Sequence, residues 1–385
     1  MCISLIGTWM QNIAQPWLAY SITKSAFLLS LIGTLQFTPI LLFSLFAGVI
    51  IDQFPKKRIL LLTQSASCVI TLVLAYLVLS NHIEYWHILI MATLLGLVNT
   101  LDMPTRQSYA IELVGKDDLM NAIALNSMSF NVARVIGPAV AGLIMGYFGI
   151  GMCFLINAFS YLAVVISLLF IDAKPVVKAK SSSGRIGLEI RAGLKYIKNA
   201  PPLLGTLLIV AVVGIFVPNF SVLVPVFAKE ILHLDEKGFG LLMSSMGVGS
   251  FLGAMFIATF SRDGPKSWVI EGLPWVIGAL MMLTGAMNHF ATMAICLGLT
   301  GFFFVTFSSS ANSKMQLNVS NEYRGRVMSV YTLVFAGSTP IGNLFAGTVS
   351  ENYTARGGFI ACGLSVVLLM LMIALTHKTK RHSEG

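Results

Sequence analysis

Charged side chains are rare in this chain, so the few that interrupt its apolar stretches carry its chemistry. In AGVIIDQFPKKRIL, residues 47–60, an apolar run breaks at Asp52 and Pro55, and Lys56, Lys57 and Arg58 follow. A carboxylate beside cations on a tight turn can pair with them, or with the positive N-terminus of a helix. Asp102 and Arg106 are four residues apart, a spacing that permits an ion pair on one helix face. They are expected to extend the Asp52–Arg58 network, although a plain helix-end salt bridge accounts for the same spacing. Arg134 lies near the middle of another apolar stretch, four residues before Pro138. A guanidinium there is costly unless it faces a protein interior or a wet cavity. It could receive an anionic group, respond to coupling protons, or pair with a neighbouring carbonyl or amide.

Other chemistries are excluded. Cys2, Cys68, Cys153, Cys296 and Cys362 lie singly in apolar runs, an odd number without metal-ligand spacing, so neither a disulfide frame nor a metal site is expected. No nucleophile–base cluster and no glycine-rich phosphate loop occurs, which argues against an enzyme, against any cofactor and against ATP as direct driving force.

The elements that must position these residues follow from composition. The 385 residues are 56% hydrophobic and 11% charged, with mean hydropathy +0.83, far from the roughly 25% charged of a soluble domain. The apolar runs recur at lengths that match a hydrocarbon slab about 30 Å thick. They do not alternate as barrel strands would. An all-α polytopic membrane protein is therefore expected, with twelve spans near 1–22, 26–51, 57–79, 85–113, 119–148, 150–171, 203–232, 238–261, 266–287, 289–315, 324–349 and 357–376. These form an N-terminal six-helix bundle (1–171), a linker (172–202), a C-terminal six-helix bundle (203–376) and a tail (377–385).

Of the 25 Lys and Arg, 20 fall on the side that includes the 51–58 turn; Lys24, Lys229, Lys237 and Arg356 fall opposite, and Arg134 falls within a span. The positive-inside rule makes the richer side cytoplasmic, with both termini there. The net charge of +9 is thus a matter of topology, and no nucleic-acid partner is implied. Within the linker, Ile186, Ile190, Leu194 and Ile197 recur at helical spacing against Arg185, Glu189, Arg191, Lys195 and Lys198, the pattern of a helix lying on the membrane face. The first span has no charged residue before its apolar ones, and the natural chain is expected to begin earlier.

A shift of 205 residues lays the second half on the first: Gly48 meets Gly253, Gly96 meets Gly301, and Ala141–Gly142 meets Ala346–Gly347. Parallel six-span repeats are one build of secondary transporters, with the substrate near the midplane.

Two stretches carry a family likeness: the Gly48, Asp52, Lys56, Lys57, Arg58 loop, and LDMPTRQSYAIELV with ARVIGPAVAG further on. The chain resembles the major facilitator superfamily, within it bacterial exporters of enterobactin-type siderophores and macrolides. The resemblance covers essentially the whole chain, with Pro55 where the family favours glycine. It implies a transporter of the bacterial cytoplasmic membrane, monomeric, moving a small amphipathic molecule outward by alternating access, with proton coupling. It also implies that Gly48, Asp52, Lys56, Arg58, Asp102 and Arg106 form a conformational latch, and that spans one, four, seven and ten line a central cavity. Gln11, Asn12, Gln15, Asn99, Arg134 and Asn219 are then candidates for substrate or coupling contacts, each open to a plain interhelical hydrogen bond instead. Gly137, Pro138 and Gly142 are expected to permit close helix packing. Span one carries no acid. Import on the same fold, or a sensor that transports nothing, fits the same residues.

Overall fold

The computed structural model describes residues 2–114, 118–171, 194–260, 264, 266–320 and 323–383. Backbone groups in lipid must be paired internally, and among the described residues the regular elements are all α-helices. They are α1 (Cys2–Thr23), α2 (Ala26–Gln53), α3 (Lys56–Leu79), α4 (Tyr85–Val114), α5 (Leu119–Phe148), α6 (Ile150–Phe170), α7 (Pro201–Phe216), α8 (Phe220–Glu230), α9 (Glu236–Phe260), α10 (Ser267–Ala286), α11 (Phe290–Leu317), α12 (Arg324–Gly337) and α13 (Thr339–Ser383). Ten stretches among them are long and apolar enough to cross a membrane. The last, Arg324–Thr376, is 53 residues long and is divided at Tyr353–Thr354, where the dihedrals leave the helical region. With its two arms counted separately and α1 added, the helices accommodate twelve crossings.

Local chemistry sets the boundaries. Ser25 caps α2 by accepting a 3.1 Å hydrogen bond from the Leu28 N–H. Gly149, with φ +83°, turns the chain between α5 and α6 in a conformation that costs glycine little. The seventh span is continuous by hydropathy yet is broken at Val217–Asn219. Pro218 has no N–H, and the Asn219 N–H bonds to Val217 O at 2.8 Å. The Ile215 carbonyl thereby loses its usual backbone partner and accepts from Asn219 Nδ2 at 2.8 Å instead. The eleventh span is likewise broken at Ser338, two residues before Pro340.

The chain divides into two compact units. The first comprises Met1–Gly184 with Leu234–Ser244, and the second Arg185–His233 with Ser245–Gly385. Chain order puts the head of α9 with the later spans; its contacts group it with α1–α6. Most of the expected amphipathic helix, from Arg185 to Gly193, lies outside the described residues. Residues 194–198 are helical, and Ile197 there is buried.

Each unit repeats the other in detail. Helices α4 and α11 begin at residues 85 and 290, and α5 and α12 at 119 and 324, a 205-residue register in both cases. A side chain at Gly96 would strike the backbone carbonyl of Gln36 in α2, and one at Gly301 that of Met246 in α9. The same glycine thus sets the same close helix crossing in each unit.

Candidate functional site

Asp102 is buried in the second half of α4, and both its oxygens are occupied. Oδ1 accepts from Thr63 Oγ1 and from Gln64 Nε2, each at 2.7 Å. Oδ2 pairs with Arg106 Nη2 at 2.7 Å, one turn further along the helix. The i,i+4 pair read from the spacing is therefore present, and it is tied to α3 through Thr63 and Gln64. Such a site keeps a carboxylate in an apolar bundle by replacing its water with fixed donors. Arg58, by contrast, is exposed at the start of α3.

The α2–α3 turn places Asp52 in the last turn of α2; its side chain lies outside the described residues. Lys56 is buried at the start of α3, whereas Gly48 is exposed. A Cβ on Gly48 would meet nothing within 4 Å, although the repeat-related Gly253 lies against the Phe302 carbonyl. Lys57 Nζ donates to Ile171 O at 2.7 Å, a cation where the C-terminus of α6 leaves carbonyls unpaired.

The amides divide into two groups. Gln11 is buried; its Oε1 accepts from Asn157 Nδ2 at 2.6 Å and from Thr71 Oγ1 at 3.3 Å, joining α1, α6 and α3. Gln15 is also buried, and its Nε2 has no partner among the described residues. Asn219, wholly buried, patches the break between α7 and α8. Asn12 and Asn99 instead lie exposed on α1 and α4.

Arg134 lies half-way along the 30-residue α5 and is half-buried. Its guanidinium carbon sits 5.5 Å from the Trp9 ring and 5.1 Å from the Phe130 ring. Those rings meet edge-on at 5.7 Å. Among the described residues it has no hydrogen bond or ion pair, so the carbonyl or amide partner considered from the sequence is not the arrangement found; aromatic faces hold it. Gly137 makes room for this, since a Cβ there would lie 2.5 Å from Trp9 Cβ.

Gly142 brings α5 against the head of α9: a Cβ on it would lie 2.9 Å from Glu236 O and 3.0 Å from Gly240 Cα. The Pro138 carbonyl lies 2.6 Å from where a Cβ of Gly240 would stand. Beside this crossing, Trp17 Nε1 donates to Glu236 Oε1 at 3.1 Å while its ring stacks on Phe239 at 4.8 Å. Lys237 Nζ lies over the Tyr147 ring at 3.5 Å. Glu236, Phe239 and Tyr147 were missed by sequence reasoning. The available signal was Lys237, one of only four cations on the sparse side.

No group of His, Cys, Asp and Glu able to hold a metal ion occurs among the described residues. The repeated units and their long apolar helices define a membrane-spanning helical fold. The sequence matches the family described as transmembrane secretion effector over residues 1–384. The chain belongs to that family, within the major facilitator superfamily, and is a multi-pass membrane transporter. It is 25% identical to the staphyloferrin A transporter of Staphylococcus aureus, over 98% of this chain and 95% of that one. It is 24% identical to the multidrug efflux pump Tap of Mycolicibacterium fortuitum, over 94% and 90%. It is 18% identical to macrolide efflux protein A of Streptococcus pyogenes, over 98% and 94%. In fold it is similar to the nucleoside transporter NupG, with a TM-score of 0.77 at 13% identity, covering 98% of this chain and 97% of that one. A bacterial homologue of the iron transporter ferroportin gives a TM-score of 0.69 at 15% identity, covering 96% of each chain.

Proposed function

We propose that this chain is a secondary active exporter of small amphipathic molecules, working by alternating access and coupled to protons. The observation that carries this reading is a set of polar side chains left open within apolar helices: Asn12 and Asn99 are exposed and Arg134 is half-buried. Facing lipid, each would be costly; facing a water-lined path, none is. The multidrug and macrolide efflux proteins among its relatives support export over import. The charge bias supports a reading with both termini in the cytoplasm of a bacterial cell, and in this reading the chain acts as a monomer without ATP.

Asp52, Lys56, Arg58, Asp102 and Arg106 act as a cytoplasmic-side latch whose ionic contacts differ between the two access states, and Gly48 leaves room for that change. A latch of a few kcal/mol biases two states without freezing either. The test is gradient-dependent flux in proteoliposomes, with a drug-susceptibility and metabolite-accumulation screen of a deletion strain to find the cargo. Persistent absence of flux across the compounds that accumulate would refute the exporter. Normal export by Asp52→Asn would sink the latch.

A further inference from the structure

Arg134 has a counterpart in the second unit, and the counterpart is not a cation. The 205-residue register that carries Phe130 to Phe335 and Gly137 to Gly342 puts Thr339 at the place of Arg134 and Gly214 at that of Trp9. Both glycines serve the same helix joint: Gly137 receives Trp9 of α1, and Gly342 receives the Ile215 carbonyl of α7. The joint therefore forms without a guanidinium, and bracing α5 against α1 does not explain Arg134. What distinguishes the first unit is the combination of Arg134 with Trp9.

A guanidinium is flat, always charged, and carries five N–H donors around its edge. The rings of Trp9 and Phe130, at 5.5 and 5.1 Å, hold the group, and no acceptor takes its donors among the described residues. A planar carboxylate matches that fork with two parallel hydrogen bonds. One cation balances one negative charge, which favours a monoanionic carboxylate over a dianionic phosphate. The neighbouring rings suit an apolar group attached to it. We infer that Arg134, framed by Trp9 and Phe130, is the subsite for a carboxylate on the transported molecule, so that the cargo consists of amphipathic anions. This rests on the transporter reading above.

The test uses the full chain in nanodiscs and two fluorescent probes, dansyl-leucine and dansyl-leucine amide, which differ in the carboxylate. The wild type should bind the acid about tenfold more tightly than the amide, the scale of a hydrogen bond to a charged group. Arg134→Ala should remove that preference, weakening the acid by about tenfold more than the amide. Arg134→Lys should keep part of it, because an ammonium supplies charge without the fork. Equal binding of the two probes by the wild type, no binding of the acid, or a preference that survives Arg134→Ala overturns the inference. If Arg134→Ala binds neither probe, Arg134→Lys decides: an intermediate preference upholds the subsite, and none overturns it. Proteoliposome flux separates the two readings. Gradient-driven flux without acid preference sinks the subsite alone, whereas acid-selective binding without flux of any cargo sinks the exporter reading and leaves the subsite standing.

Discussion

Thr354 repeats the backbone of Gly149 at a distance of 205 residues: φ 83°, ψ 163° at Gly149, and φ 70°, ψ 165° at Thr354. Each ends the fifth crossing of its unit and reverses the chain into the sixth. That region of φ/ψ space belongs essentially to glycine, and another residue held there costs on the order of 1–3 kcal/mol. A β-branched threonine sits at the strained end. Thr354→Gly should therefore raise stability by about 1–3 kcal/mol, read as a higher unfolding temperature in detergent. Gly149→Thr should lower it by a similar amount. Unchanged transitions in both variants would remove strain as the explanation.

Asp102 accepts three hydrogen bonds, and Arg106, with 24% of its side chain exposed, keeps some water. Asp102→Asn should cost about 2 kcal/mol, the loss expected for charge-assisted bonds that are not fully desolvated. A double-mutant cycle with Arg106→Gln should return a coupling of about 1 kcal/mol. Additive effects would mean that Thr63 and Gln64 alone hold the carboxylate.

Gly48 and Gly253 occupy one register position and differ in surroundings, open space against the Phe302 carbonyl. Gly253→Ala should destabilise the protein by roughly 1–3 kcal/mol through overpacking. Gly48→Ala should leave stability level or raise it by up to about 1 kcal/mol, since alanine favours the helix. If Gly48 serves the latch, the same variant slows flux in proteoliposomes. Normal flux there would leave Gly48 without a role in access.

Gly142 and Gly240 meet backbone to backbone, so each alanine strains the same crossing of α5 with the head of α9. Each single variant should cost about 1–3 kcal/mol. The double variant should cost less than the sum, because one separation of the helices relieves both. Additivity in thermal unfolding would show that the two strains are relieved separately.

How much of this was legible beforehand differs by kind of feature. Span positions were readable because lipid admits a narrow range of helix lengths, and the Asp102–Arg106 pair because i,i+4 spacing is a local rule. The roles of Thr63 and Gln64 were not readable: they meet Asp102 across a helix interface, which one-dimensional periodicity does not encode. Gln11 and Asn12 are adjacent in sequence, yet one is buried in a three-helix tie and the other is exposed; a 100° rotation between neighbours decides it. The break at Asn219 escaped notice because hydropathy continues through Pro218. The dihedral match of Gly149 and Thr354 was hidden by the change of residue type, since a threonine gives no hint of a glycine's conformation.

The side-chain bond from Asn219 to Ile215 lets the helix break between α7 and α8 without leaving the Ile215 carbonyl bare. In an unbroken helix, bending strains rungs of the backbone ladder that lipid cannot replace. Here the rung is a rotatable amide on a chain of two torsions, which can follow its carbonyl through a change of angle without releasing it. A rung carried by a side chain is one that a single substitution at Asn219 would remove, which is true of no rung in an unbroken helix short of a change to proline.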